Sequence, residues 1–371
     1  VGLPAYLLSS AKDDIAVSQD VISSAASLPW APLYSVTRAQ QPEVTVYGLA
    51  FVWAEDRAAK NNCGLALLRV GETRTPLWSR SLLKPFQLMV LYPTLKQAYP
   101  SLTPAHWAML MASHQGDARQ LELLQDLMTL GGFNEADLQC PACQSHRAQN
   151  PREASALQHP CSGKHLAHLL YLKARDLPLN HYLQPDQEPY QLLRALLCYL
   201  LYVDALPESV DGCGMPNLAL TAVELAQLYH ALVLPVSKDM IRQCPDELTD
   251  ILMGWNEIAA IMQAAPELIG GAGRLDTCLM QGEGLPQPAP ALIAKEGAEG
   301  LLCLGIGPSE SFPGGLGLLI KLSAGHKARQ MDVLIRHILA QLGLAEASMP
   351  TDEGVTQTVF HFQVQGALQA L

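Results

Sequence analysis

The chain has 371 residues, 49% hydrophobic and only 16% charged, which is enough apolar material for a sizeable core and excludes wholesale disorder. Lys and Arg number 24 against 35 Asp and Glu, and the formal charge of -11 argues against a nucleic-acid or anionic-membrane partner. The most apolar run, Leu192 to Val203, is interrupted by Arg194 and is too short to span a bilayer.

The first residues lack a basic stretch, an apolar stretch and a small-residue cleavage site in succession, so no secretory signal is read. The 9 cysteines are scattered, and a chain of this size needs no disulfide staples. A reducing, cytoplasmic setting is the expectation.

In chain order, residues 1–42 show weak periodicity and read as an N-terminal arm. Val44 to Trp53 is rich in β-branched and aromatic residues, Asp56 and Asn61–Asn62 mark a turn, and Gly64 to Val70 reads as the return strand of a hairpin. From about 101 to 289 the spacing becomes helical. Thr103–Pro104 opens one helix, Asp117 caps the next, and Gly131–Gly132 ends it. Further helices are expected at 163–174, 190–203, 222–233, 237–242 and 247–263. Strand signals return at 291–295, 300–306 and 317–322, followed by an amphipathic helix at 327–342 and a last strand at 355–364. Strands, then helices, then strands predict an α+β unit over 43–371, with a mixed, mostly antiparallel sheet from 43–100 and 290–371 and a helical insertion over 101–289.

Ser81-Leu82-Leu83-Lys84 precedes Pro85 at the head of an apolar helix. Ser81 is a good N-cap, and its i, i+3 spacing puts a hydroxyl and an amine on one side of the helix. A desolvated amine can take a hydroxyl proton, so the pair suits nucleophilic catalysis. Ala112-Ser113-His114-Gln115-Gly116-Asp117 lies in an interhelical turn, and Lys295-Glu296-Gly297 lies on a strand after the helical region. The order S-x-x-K, loop serine, K-x-G is that of the penicillin-binding proteins and serine β-lactamases, although their middle motif is S-D-N. Cys161 and Cys213 sit in turn-like settings as candidate soft metal ligands, but two thiolates do not complete a site. Cys140-Pro141-Ala142-Cys143 lacks a second pair and reads as a loop.

Six ordered stretches together resemble the Rhizobium-type L-asparaginase family. They are Arg80 to Gln87, Ala112 to Asp117, Cys161-Ser162-Gly163-Lys164-His165, Asp211-Gly212-Cys213-Gly214 with Pro216, Gly273-Arg274 with Asp276-Thr277, and Lys295 to Gly300. Two positions depart from the family's pattern: Val46-Tyr47-Gly48 stands where His-Arg-Gly is usual, and Pro160 where Asn is usual. The resemblance implies a serine β-lactamase-like fold, a homodimer, and hydrolysis of L-asparagine to L-aspartate and ammonia. It implies two serine–lysine pairs, Ser81 with Lys84 and Ser113 with Lys295. It also implies a Zn2+ site at Cys161, Lys164 and Cys213, where lysine must be deprotonated to coordinate.

On this reading Ser81 is the nucleophile, Lys84 its base, and Ser113 with Lys295 relays a proton to the leaving ammonia. The roles of the two serines are exchangeable at this level. Arg80 and Asp211 are candidates, on position alone, for the substrate's α-carboxylate and α-ammonium. The competing readings are a penicillin-recognising serine acyl-transferase (a β-lactamase or D-Ala-D-Ala peptidase) and an inactive binding descendant.

Overall fold

Leu49-Ala50-Phe51-Val52 is apolar without a break because its strand is covered on both faces. In the computed structural model, which describes residues 28–38, 41–55, 64–144, 154–345 and 355–359, this stretch lies in β2 (Gln41–Glu55). Leu49 and Phe51 pack into one apolar core, while Ala50 and Val52 pack into another on the opposite side of the sheet. The two-residue period of a strand sends alternate side chains to the two cores.

The hairpin expected at 44–70 forms, with β2 antiparallel to β3 (Gly64–Val70). The turn expected at Asp56 and Asn61–Asn62 lies outside the described residues. Within the stretch read as an arm, residues 31–38 are a strand, β1 (Ala31–Arg38), antiparallel to the first half of β2. A bulge between Pro32 and Tyr34 breaks its register, which hides the alternation that would have marked it in the sequence.

A two-residue strand, β4 (Leu77–Trp78), leads into a 3-10 turn over Arg80–Leu83 and then α1 (Lys84–Ala98). The helical insertion holds α2 (Pro104–Leu110), α3 (Ala118–Gly131), α4 (Ser162–Ala174) and α5 (Glu188–Leu201). β5 (Glu208–Val210) and β6 (Pro216–Leu220) join β4 in a small sheet of order β4-β6-β5. There follow α6 (Ala222–Val233), α7 (Lys238–Gln243), α8 (Asp246–Met253), α9 (Trp255–Ala264), α10 (Pro266–Ile269) and α11 (Leu275–Met280). The single helix expected over 247–263 is divided at Gly254 into α8 and α9.

The chain returns to the main sheet through β7 (Leu292–Gly297), β8 (Leu301–Ile306) and β9 (Leu316–Leu322), crosses it with α12 (Ala328–Gln341), and adds β10 (Val355–Val359). The main sheet runs β10-β1-β2-β9-β8-β7, with β3 also on β2, and its pairings are all antiparallel. The architecture is therefore α+β, with an antiparallel sheet and a helical region inserted between its strands. One core fills the space between sheet and helical region; the second lies under α11 and α12. β7 is an edge strand, and it packs beside the Arg80–Leu83 turn. Among the described residues no helix is long and apolar enough to cross a membrane.

Candidate active site

The expected N-cap at Ser81 gives way to a tighter geometry. Pro85 has no N–H, so it cannot close an α-helical bond to the Ser81 carbonyl. The Lys84 N–H takes that carbonyl instead, which makes Arg80–Leu83 a 3-10 turn and leaves Lys84 as the first residue of α1. Arg80 adopts φ 50, a left-handed conformation costly for a side chain other than glycine. It is held there by its own N–H, 3.1 Å from Asn217 Oδ1, and by its Nε, 2.6 Å from Asp211 Oδ1.

Ser113 is positioned by the helices around it. Its N–H donates to the Ile269 carbonyl at 2.7 Å. Asp117 caps α3 as the sequence predicts, and the Gln120 side chain in that capping box also accepts the Gln115 N–H at 3.0 Å. Buried His114 ties the same loop to α4 through Ser162 Oγ at 2.9 Å. α4 can come this close because Gly163 has no Cβ; one there would stand 1.9 Å from the Met109 carbonyl oxygen.

Ser81 and Ser113 line one cavity of about 430 Å³, together with Gln115, Pro160, Arg274 and Glu296. Two hydroxyls from distant parts of the chain thus meet at a common space. The pairing differs from the expected one, however. Lys84 Nζ is 3.0 Å from Ser113 Oγ, and it donates to the carbonyls of Ala112 at 2.5 Å and Pro160 at 3.1 Å. The Ser81 hydroxyl has no hydrogen-bond partner among the described residues. The i, i+3 argument fails because the lysine stem carries its amine past Ser81 into the buried space between the 112–117 loop and Pro160. Burial lowers the pKa of Lys84, and the nearby Lys164 lowers it further, against the thiol groups of Cys161 and Cys213.

Lys295 does not pair with Ser113 either. It is fully buried on β7, with Nζ 3.5 Å from Asp276 Oδ2 and 3.1 Å from the Glu296 carbonyl. Burial, and then the charge of Lys84, bring its pKa down to about 8. Burial would raise the Asp276 carboxyl, but Lys295, Arg274 and the N–H groups of Glu296 and Thr277 outweigh it and hold the group ionised. Gly270 makes room for this carboxylate: a Cβ there would lie 2.4 Å from Asp276 Oδ1. Asp276 carried no assigned role in the sequence reading, although it stood inside a quoted motif. Its signal is an aspartate in the first turn of a short helix whose first residues are buried.

Arg80 and Asp211, expected to meet the substrate's charged groups, pair with each other and are not among the cavity's lining residues. The ion pair ties the Ser81 turn to the Asp211–Met215 turn that carries Cys213. Cys161, Lys164 and Cys213 are all buried and do converge. A hydrogen bond from the Cys213 thiol holds Cys161 well below the usual thiol range against the cost of burial, with help from the charges of Lys84 and Lys164. Burial would lower Lys164, but both cysteines and Asp211 raise it on balance. Two soft donors and an amine within mutual reach are a chemically suitable partial tetrahedral set for zinc. Among the described residues no three His, Cys, Asp or Glu side chains are grouped to hold a metal ion, so a metal here depends on lysine as the third donor. The described cysteines are free thiols.

The model of a family described as L-asparaginase II matches residues 35–368. The chain belongs to that family. Membership makes it an amidohydrolase acting on a small-molecule substrate. No curated protein matches the chain. Among solved structures it is similar to a probable glutaminase from Bacillus subtilis complexed with 6-diazo-5-oxo-L-norleucine, at 14% identity and TM-score 0.36, over 81% of this chain and 86% of that one. A Bacillus glutaminase crystallised in the presence of 4.3 M NaCl gives 14% identity and TM-score 0.36, over 81% and 92% of the two chains.

Proposed function

We propose that this amidohydrolase converts L-asparagine to L-aspartate and ammonia through an acyl-enzyme on Ser81. The observation that carries the reading is the Lys84–Ser113 hydrogen bond beside a cavity that the Ser81 hydroxyl also lines. A neutral amine has two N–H bonds and one lone pair. The Ala112 and Pro160 carbonyls take the two N–H groups, which directs the lone pair of Lys84 at the Ser113 hydroxyl. Lys295 has the opposite setting: the Asp276 carboxylate beside it favours the charged ammonium.

In acylation, Ser81 Oγ attacks the carboxamide carbon. The Ser81 proton passes to Ser113, and the Ser113 proton passes to Lys84. Backbone N–H groups at the Ser81 turn stabilise the oxyanion. The C–N bond breaks, and Lys295 gives a proton to the departing nitrogen. In deacylation, water attacks the Ser81 ester, its proton goes to Lys295, and Lys84 returns a proton to Ser81 through Ser113. Both lysines end as they began.

Cys161, Lys164 and Cys213 are the residues that would hold a zinc ion. When bound, it would supply positive charge that cancels the thiolates beside Lys84 and favours its neutral amine. A homodimer is part of the same reading, and sedimentation tests it.

The mechanistic test is an ammonia-release assay on L-asparagine combined with intact and peptide mass analysis of acid-quenched enzyme. An aspartyl ester on the peptide containing Ser81 is expected, and Ser81→Ala should lower turnover by about 10³-fold or more. Near-normal turnover in Ser81→Ala, or an ester on Ser113, would overturn the assignment.

A further inference from the structure

The cavity holds one ion pair that the chemistry above does not use. Arg274, at the start of α11, and Glu296, on β7, both line it. Arg274 Nε donates to Glu296 Oε2 at 2.5 Å, with the two side chains 27% and 5% exposed. That contact engages only one edge of the guanidinium and one oxygen of the carboxylate. Arg274 Nη1 and Nη2 and Glu296 Oε1 make no hydrogen bond among the described residues. A purely structural strut would use those donors and that acceptor on protein partners, because desolvated charged groups are costly to leave unsatisfied.

We propose that Arg274 and Glu296 form the subsite for the charged end of a free α-amino acid, with the Nη groups of Arg274 binding the α-carboxylate and Oε1 of Glu296 accepting from the α-ammonium. The inference rests on the amidohydrolase reading of the site and adds the feature that selects the substrate. A planar guanidinium beside a carboxylate presents the two charges of a zwitterion with signs reversed. The carboxamide of the same molecule then lies toward Ser81 and Ser113 on the shared cavity wall.

Behind the pair, Asp276 and Lys295 continue the alternation of charge. Arg274 Nε is 3.9 Å from Asp276 Oδ1, and Asp276 Oδ2 is 3.5 Å from Lys295 Nζ. The subsite and the lysine proposed as proton donor are thus joined through one buried carboxylate. An amide lacking either α-charge would leave part of the pair desolvated without a partner, and a site built to bond a substrate group rejects analogues that lack it.

The test compares three amides on the full-length enzyme: L-asparagine, succinamate (no α-ammonium) and 3-aminopropanamide (no α-carboxylate). The wild type is expected to favour L-asparagine by about 10²-fold or more in kcat/KM over each analogue. In Glu296→Gln the preference over succinamate should collapse toward one, and in Arg274→Gln the preference over 3-aminopropanamide should collapse. These ratios are insensitive to a general loss of active enzyme. Equal hydrolysis of all three amides by the wild type overturns the assignment while leaving the amidohydrolase reading intact. So does a uniform loss on all three amides in both variants. Ammonia release from none of the three by the wild type overturns the L-asparagine reading on which the assignment rests.

Discussion

Lys84 Nζ is 3.0 Å from the hydroxyl of Ser113, not bonded to that of Ser81 three residues before it. The lysine thus addresses a second serine, which lines the same cavity as the proposed nucleophile. Ser113→Ala should slow turnover of L-asparagine by about 10²- to 10⁴-fold, the usual span of a lost proton-transfer group. Because Ser81 keeps its place, the slow variant should still form an ester on Ser81. Single-turnover kinetics with mass analysis checks this, and absence of any adduct in a folded Ser113→Ala protein would place the nucleophile at Ser113.

The alkaline limb of the pH profile reports on Lys295. Its pKa of about 8 means the ammonium needed to protonate the leaving nitrogen is lost as pH rises through that value, so kcat/KM should fall above about 8. The Asp276 charge raises that pKa, so Asp276→Asn should move the limb to lower pH. Lys295→Arg keeps a permanent charge but cannot release a proton, so it should lower turnover at every pH. A limb that stays in place in Asp276→Asn would remove Lys295 from the proposed role.

Two close approaches hold the site together. A Cβ on Gly163 would stand 1.9 Å from the Met109 carbonyl oxygen, and one on Gly270 would stand 2.4 Å from Asp276 Oδ1. Gly163→Ala has to shift α4 against backbone and should cost about 1–3 kcal/mol in denaturant unfolding. Gly270→Ala displaces a carboxylate, so its main effect should be on the alkaline limb rather than on stability. Unchanged unfolding midpoints for Gly163→Ala would mean the packing there is looser than the geometry implies.

Metal analysis of the purified protein should find about one zinc ion per chain, since two buried thiols and an amine supply three of the four donors that zinc takes. Cys161→Ser combined with Cys213→Ser should abolish it. Stoichiometry well below one after dialysis against a weak chelator would count against the site.

Much of the architecture was legible in the sequence. The capping residues Thr103 and Asp117, the glycine pair at 131–132 and the apolar runs of β7, β8 and β9 act over a few residues, so they can be read locally. β1 was not legible, because its bulge spoils the alternation and its partner β2 supplies the order. The break at Gly254 was missed because the apolar spacing continues across it.

At the site, the sequence by itself marked the candidate side chains: Ser81, Lys84, Ser113 and Lys295 stand in recognisable motifs, as do Cys161, Lys164 and Cys213. Only the tertiary structure decided which of them touch. Lys84 addresses Ser113, Lys295 addresses Asp276, and Arg80 addresses Asp211. A motif fixes the spacing of Cα atoms along a chain. A flexible lysine or arginine finds its partner by burial and charge among residues brought together from elsewhere.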